Sequence, residues 1–428
     1  MKQRINLISL GCSKNLVDSE RLLKMLEDKG FEVSFESEGD FDAVIVNTCG
    51  FIGDAKEQSI NTILNWIRAK EEGRISKLLV MGCLSERYRT ELPAELPEVD
   101  GWFGKFNWPE VITFLTKEMP KPTVERHLTT PAHYAYIKIA EGCNRFCAFC
   151  AIPLITGRYK SRPIEDICNE VKALVAKGVS EFNIIAQDLS YYGKDIYGEY
   201  RIAALVEALS EISGVKWIRL HYLYPHDFPY DLLDVMARKE NVCKYIDIAL
   251  QHSSDAVLKK MRRHIDHKQT EQLLAEIRRR VPGIHIRTTL MVGFPGEGDN
   301  EFEELMEFTK AQRFERMGAF AYCEEDDTYA AINYNDSIPQ EIKQQRLDKL
   351  MALQEQISDE IQQTKIGKTI EVVIDRVDGE YYSCRSQFDS PEVDPEILVK
   401  NDNRHAPDTY HNVRITGALP FELIGEFV

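Results

Sequence analysis

The chain has 428 residues, 43% of them hydrophobic and 29% charged, the proportions of a globular protein with material for roughly two or three domains and a full core. Its net charge of −16 gives a field that repels nucleic acid, so RNA binding would require a local basic patch, whereas a basic protein would be attracted. No apolar run approaches the ~18 residues of a membrane span, and Met1–Asn6 leads into a strand and not into a signal-peptide core, so a cytoplasmic protein without membrane association is expected. In that setting ten cysteines argue for metal or redox chemistry over disulfides.

Residues 1–120 alternate strand and helix and are expected to form one α/β domain. Ile5–Leu10, Ala43–Asn47 and Lys77–Met81 are continuous apolar runs, which predict strands of a parallel sheet covered on both faces. Between the first two, Asn15–Lys29 has helical periodicity, with Leu16, Leu22, Leu23 and Leu26 on one side. Each strand runs into a cysteine with a glycine beside it: Cys12, Cys49 and Cys83. The carboxyl ends of adjacent parallel strands converge on one crevice, so the three thiols are candidate ligands of a shared iron–sulfur cluster, although buried inert thiols would give the same pattern.

Residues 121–133, rich in Lys, Pro and Thr, read as a linker. A second domain, 129–360, follows with six strand–helix units. Its strands are predicted at Tyr134–Ile139, Phe182–Ala186, Trp217–Tyr222, Tyr245–Leu250, Ile286–Val292 and Met317–Tyr322, which suits an open, partial (β/α)6 TIM-like barrel. Directly after the first strand stands Cys143-Asn-Arg-Phe-Cys147-Ala-Phe-Cys150, a C-x3-C-x2-C loop. A [4Fe–4S] cluster normally takes four cysteines, so three of them leave one iron open to a substrate or cofactor. Zinc sites pair two short Cys or His units, and no second pair lies within reach here. Polar residues just past the strands are further candidates: Gln187-Asp188, Gln251-His252 and the Gly293–Glu297 turn. The remaining cysteines, Cys168, Cys243, Cys323 and Cys384, read as structural thiols.

An amphipathic helix is predicted over 338–363, with Ile342, Leu350, Leu353, Ile357 and Ile361 as its apolar side. From 364 to 428 short alternating strands predict a small all-β barrel. From Lys365 to Val428 there are 7 Lys and Arg against 12 Asp and Glu, and residues 389–396 form an acidic loop. An RNA-binding barrel should carry basic and aromatic platforms, so this composition favours a basic protein target.

The C-x3-C-x2-C loop, the three upstream cysteines and the C-terminal barrel together resemble the methylthiotransferase family of radical S-adenosylmethionine (SAM) enzymes over essentially the whole chain. The segments Gly11–Glu20, Asn47–Ile52 and Ile152–Arg162 are most similar to the branch that modifies an aspartate of small-subunit ribosomal protein uS12, with Thr156 standing where that branch would carry Arg. The resemblance implies a transferase of sulfur-containing groups with two [4Fe–4S] clusters, one on Cys143, Cys147 and Cys150 and an auxiliary one on Cys12, Cys49 and Cys83. It implies SAM as methyl donor and radical source, bound near Gln187 and Gly293, a TRAM domain at the C-terminus, and a reducing donor of the flavodoxin or ferredoxin type. The expected reaction is methylthiolation of the aspartate β-carbon of uS12, free or in the small subunit. The alternative is a tRNA (adenosine) methylthiotransferase, which the acidic barrel disfavours.

Overall fold

In the computed structural model, which describes residues 2–120 and 124–428, three units share extensive contacts. The N-terminal sheet has five parallel strands, β1 (Arg4–Ser9), β2 (Glu32–Phe35), β3 (Phe41–Thr48), β4 (Ile75–Gly82) and β5 (Gly101–Trp102), in the order β2-β1-β3-β4-β5. The central strands β3 and β4 are the continuous apolar runs of the sequence and are buried on both faces, as a covered parallel sheet requires. β2 and β5 lie at the edges; they are short and carry no long apolar run, which is why periodicity does not reveal them.

Helix α1 (Ser13–Asp28) belongs to two cores. Leu22, Leu23 and Leu26 pack on the N-terminal sheet, whereas Leu16 and Val17 pack against Tyr134, Tyr136, Ile185 and Tyr222 of the second unit. The second unit is an open sheet of six parallel strands in the order β13-β12-β11-β10-β9-β6, with β6 (Tyr134–Lys138), β9 (Glu181–Ile185), β10 (Trp217–Leu223), β11 (Val242–Gln251), β12 (His285–Val292) and β13 (Arg316–Ala321). The short pair β7 (Ala140–Glu141) and β8 (Lys160–Ser161) brackets the cysteine loop. Along β6, β9 and β10 alternate residues divide cleanly. Ala135, Ile137, Phe182, Ile184, Ile218 and Leu220 face the outer helices, and Tyr134, Tyr136, Lys138, Asn183, Arg219 and His221 lie on the opposite, inner face.

The C-terminal unit is a closed barrel, β14-β15-β16-β18-β17, built from β14 (Thr369–Asp378), β15 (Tyr381–Ser386), β16 (Ile397–Lys400), β17 (Tyr410–Leu419) and β18 (Glu422–Phe427). It plugs the amino-terminal end of the open sheet. Arg385 of β15 forks onto Glu181 at the start of β9, with Nη–Oε distances of 2.8 and 3.0 Å, and Arg219 shares the same carboxylate. The acidic loop belongs to this junction. Asp389 accepts from Arg316 at 2.6 Å, Asp394 accepts from the Tyr245 hydroxyl at 2.8 Å and faces Arg287, and Glu392 accepts from Tyr134. The acidic loop is expected from the sequence to suit a basic partner; its Asp389 and Asp394 are instead engaged within the protein. Asp389 and Asp394 answer arginines of the strands and Glu392 a tyrosine, pairings between residues far apart in sequence that composition cannot reveal.

Two other expectations change. The linker reading over 121–133 falls in part on 121–123, outside the described residues; beyond them Arg126 is buried between Glu20 and Glu170, and His133 is buried at the barrel junction. The long helix runs Gln340–Gln363, but Ile342 is exposed and the buried stripe contains Lys343, Arg346 and Gln354, which bond back to Tyr322, Glu297 and Phe314. Among the described residues no helix is long and apolar enough to cross a membrane.

His133 makes the junction pH-sensitive. Burial opposes its protonation, but Asp375 at 2.8 Å and Asp408 at 2.6 Å, one at each ring nitrogen, outweigh burial and raise its pKa. A raised folded-state pKa adds stability that is complete below the ordinary histidine value of about 6.5 and is lost as pH rises through the folded value. Protease resistance of the core–barrel junction should therefore fall as pH rises above about 6.5, and His133→Gln should flatten that dependence.

Candidate active site at the meeting of two cysteine triads

The N-terminal triad forms at the carboxyl ends of three adjacent strands. Cys12 caps α1, Cys49 follows β3, and Cys83 opens the short helix α2 (Cys83–Arg87) after β4. The backbone there has little room. Gly11 has φ +95°, and a Cβ would stand 2.9 Å from the Cys49 Sγ; Gly50 lies against the backbone of Leu84. Cys83 responds electrostatically to Cys12 and Cys49, Cys49 responds to Cys12, and all three respond to Lys105, which places them in one neighbourhood. Asn15 ties them together: its Nδ2 donates to the carbonyls of Leu10 and Thr48, and its Oδ1 faces the Cys83 thiol at 3.5 Å and the Lys105 ammonium at 3.0 Å.

Burial pushes Cys83 up to about 11 and raises Cys49 despite the nearby lysine. Cys12 reaches the surface yet is densely surrounded; crowding opposes its ionisation, but Lys14 and Lys105 outweigh it and hold its pKa below the ordinary thiol value. Metal binding to the buried pair must therefore displace protons, as at any thiolate site.

The second triad is local in sequence. The loop leaves β7 through Gly142, whose φ is +73° and whose missing Cβ makes room for the Arg158 carbonyl. Burial pushes Cys143 up to about 12, with Cys147 adding to the effect, and Cys150 is raised by burial and by both other thiols. Cations surround the loop. The Arg263 Nη1 donates to the Cys147 Sγ at 3.1 Å, the Tyr224 hydroxyl lies 3.7 Å from that sulfur, and Arg145 within the loop is held by Asp188 at 2.6 Å. Gly142→Ala should force the loop off its path, with the iron bound after reconstitution falling by about half and no global unfolding, measurable by iron assay beside circular dichroism.

The two triads meet. Cys83 packs directly on Ala151 and Ile155, just beyond Cys150 in the chain. A buried charge chain also connects them: Lys105 reaches Asp18 at 3.2 Å, Asp18 pairs with Lys138, and Lys138 pairs with Glu141 immediately before the loop. No three His, Cys, Asp or Glu side chains among the described residues are placed to hold a single metal ion. That placement opposes a mononuclear site but not a cluster, whose irons spread the thiolates further apart than one ion does. Three thiols per site suit a [4Fe–4S] cluster with one open iron.

Of the other predicted positions, Gln187 lies half-buried just past β9, and its side chain makes no hydrogen bond among the described residues. Its neighbour Asp188 is the residue that grips the cysteine loop. Gly293, at φ +75°, follows β12; its N–H donates to Glu297 at 2.9 Å, and Glu297 also faces His252 at 3.2 Å and accepts from Arg346 at 2.8 Å. The turn is thus fixed by the long helix through Arg346. Cys168 is half-buried, and Cys243 and Cys384 are buried as expected of structural thiols, but Cys323 is exposed just past β13. Sequence reasoning missed Arg263 and Tyr224, which reach Cys147 from 116 and 77 positions away, and Lys105, which no motif marks. Arg145, although it sits within the C-x3-C-x2-C loop, was likewise not singled out.

Residues 137–309 match the radical SAM superfamily, residues 4–104 the uncharacterised protein family UPF0004, and residues 366–428 the TRAM domain. Among solved structures, a radical S-adenosylmethionine methyltransferase from Kitasatospora setae, TsrM, with cobalamin and a [4Fe–4S] cluster bound, aligns with a TM-score of 0.56 at 15% identity over 95% of this chain and 84% of that one, a likeness of fold. Among curated proteins, the ribosomal protein uS12 methylthiotransferase RimO of Phocaeicola vulgatus is 57% identical over 99% of this chain and 98% of its own length. The protein of the same name from Bacteroides fragilis is 55% identical over the full length of both chains, and that from Cytophaga hutchinsonii is 48% identical over 100% of this chain and 98% of its own length. With end-to-end identity of this order, and with both cysteine triads in place, the chain belongs to the ribosomal protein uS12 methylthiotransferase family of radical SAM enzymes.

Proposed function

We propose that the chain adds a methylthio group to the β-carbon of an aspartate in ribosomal protein uS12, using SAM as both methyl donor and radical source. The observation that carries this reading is the contact of the two cysteine triads, supported by the full-length relatives. When bound, two [4Fe–4S] clusters and SAM supply the one-electron chemistry, the sulfur and the methyl group. The protein's residues do the rest. Cys143, Cys147 and Cys150 hold one cluster, with Arg263 beside Cys147 offsetting thiolate charge. Cys12, Cys49 and Cys83 hold the other, with Lys105 and Asn15 next to the sulfurs. Gln187 and the Gly293 turn flank the SAM side of the barrel, and the C-terminal barrel seals the opposite end of the strands. The chain acts in the cytoplasm, with an electron donor of the flavodoxin or ferredoxin type.

The deciding measurement is the intact mass of uS12 from a strain lacking this protein, before and after complementation. Complementation should add one methylthio group in place of hydrogen. An unchanged uS12 with altered tRNA nucleosides would overturn the reading in favour of a tRNA methylthiotransferase.

A further inference from the structure

Beside the N-terminal triad lies a buried lysine without a carboxylate partner among the described residues. Lys14, two residues past Cys12, is only 5% exposed, and its ammonium stands 3.5 Å over the ring of Tyr222. Lys105, Lys138 and Lys343 are equally buried, and each holds a carboxylate. Among the described residues no carboxylate lies within 4.0 Å of the Lys14 ammonium. Lys365 also lacks one, but it sits at the root of the C-terminal barrel near Arg316 and Asp389.

The surroundings of Lys14 are those of a binding site. It enters the inner face of the open sheet, where its charge acts on His221 and Asp247. Asp247 is already engaged by the Tyr222 N–H at 3.2 Å and by Arg287 at 3.4 Å. His221 faces Asn183 at 3.3 Å, and the Asn183 Nδ2 is a buried donor with no acceptor. Tyr222, which supports the ammonium, is held at φ +66°, a strained conformation for a residue with a side chain. A buried ammonium and an unsatisfied amide N–H on one inner face both require an oxygen acceptor, and a carboxylate satisfies both.

We propose that Lys14 is the specificity-determining residue of the reaction, binding the side-chain carboxylate of the substrate aspartate with Asn183 as second donor. This rests on the reading that an aspartate of uS12 is the target. The β-carbon is bonded directly to the carboxylate carbon, so anchoring the carboxylate fixes the reacting carbon on the Cys12 side of the barrel. A neutral side chain at position 14 would leave no reason to prefer Asp over Asn.

The test uses cluster-reconstituted protein with two probes: uS12, and uS12 whose target aspartate is changed to asparagine. Binding by fluorescence anisotropy and product by mass spectrometry are read for wild type, K14M and K14R, with iron content as the check on folding. Wild type should favour the aspartate form by on the order of ten- to a hundredfold, the value of a charged hydrogen bond. K14M should bring that ratio close to one at unchanged iron content, and K14R should keep most of it. If K14M loses iron, K14Q and N183A provide the same comparison. A K14M or K14Q variant that retains iron and the full wild-type preference overturns the role of Lys14. Failure of wild type to bind or modify uS12 at all would instead overturn the assignment of substrate.

Discussion

Replacing Cys143, Cys147 and Cys150 together by alanine should lower bound iron from about eight to about four per chain and abolish reductive cleavage of SAM. The triad is one loop between β7 and β8, anchored by Gly142 and Asp188, and it does not form part of either hydrophobic sheet core. The fold should survive its loss, and circular dichroism should be unchanged. The Cys12, Cys49 and Cys83 triple replacement should also remove about half the iron, while the sixfold replacement removes all of it. Methylthiolation of uS12 should be lost in every case. Iron falling to zero after either triple change would mean that the six thiols form one site. The pKa directions add a condition. Buried Cys83 and Cys143, pushed up to about 11 and about 12, bind metal only by releasing protons, so reconstitution should be faster and more complete as pH is raised.

The second large effect concerns the junction of core and barrel. Arg385→Ala should destabilise the attachment of the C-terminal barrel by about 3–5 kcal/mol, the usual cost of removing one partner from a buried ion pair. The Arg385 side chain is 1% exposed and satisfies Glu181, Asp375 and the Asp389 carbonyl together. Without it Glu181, buried at the start of β9, keeps only Arg219, and Asp375 keeps only His133. Arg385→Lys should recover only part of the loss, because an ammonium cannot reproduce a fork that reaches two carboxylates. Limited proteolysis near residues 364–368, followed alongside urea unfolding, reads the effect. A cost below about 1 kcal/mol would show that the network is replaceable by water. The same contacts explain why the barrel is not a free module: its acidic loop, Arg385 and His133 lock it to the strand ends.

The sequence by itself determined a great deal. Apolar runs are the direct image of strands buried on both faces, so β1, β3, β4 and the six core strands were visible, and strict alternation announced the C-terminal barrel. C-x3-C-x2-C carries its chemistry within eight residues, so that triad is written in one loop. Cys12, Cys49 and Cys83 were legible for a topological reason, because parallel strands deliver the residues at their carboxyl ends to one edge. The tertiary structure alone decided the charges. Lys138 is ordinary in an alternating strand until Asp18 and Glu141 are seen around it, and residues 389–396 look like a solvated acidic loop until Arg287 and Arg316 are seen beneath it. Whether a charge faces water or another charge depends on distant partners, 204 positions away for Arg385 and Glu181 and 275 for His133 and Asp408. Local pattern cannot carry that information, because electrostatic pairing depends on distance in space and is indifferent to distance along the chain.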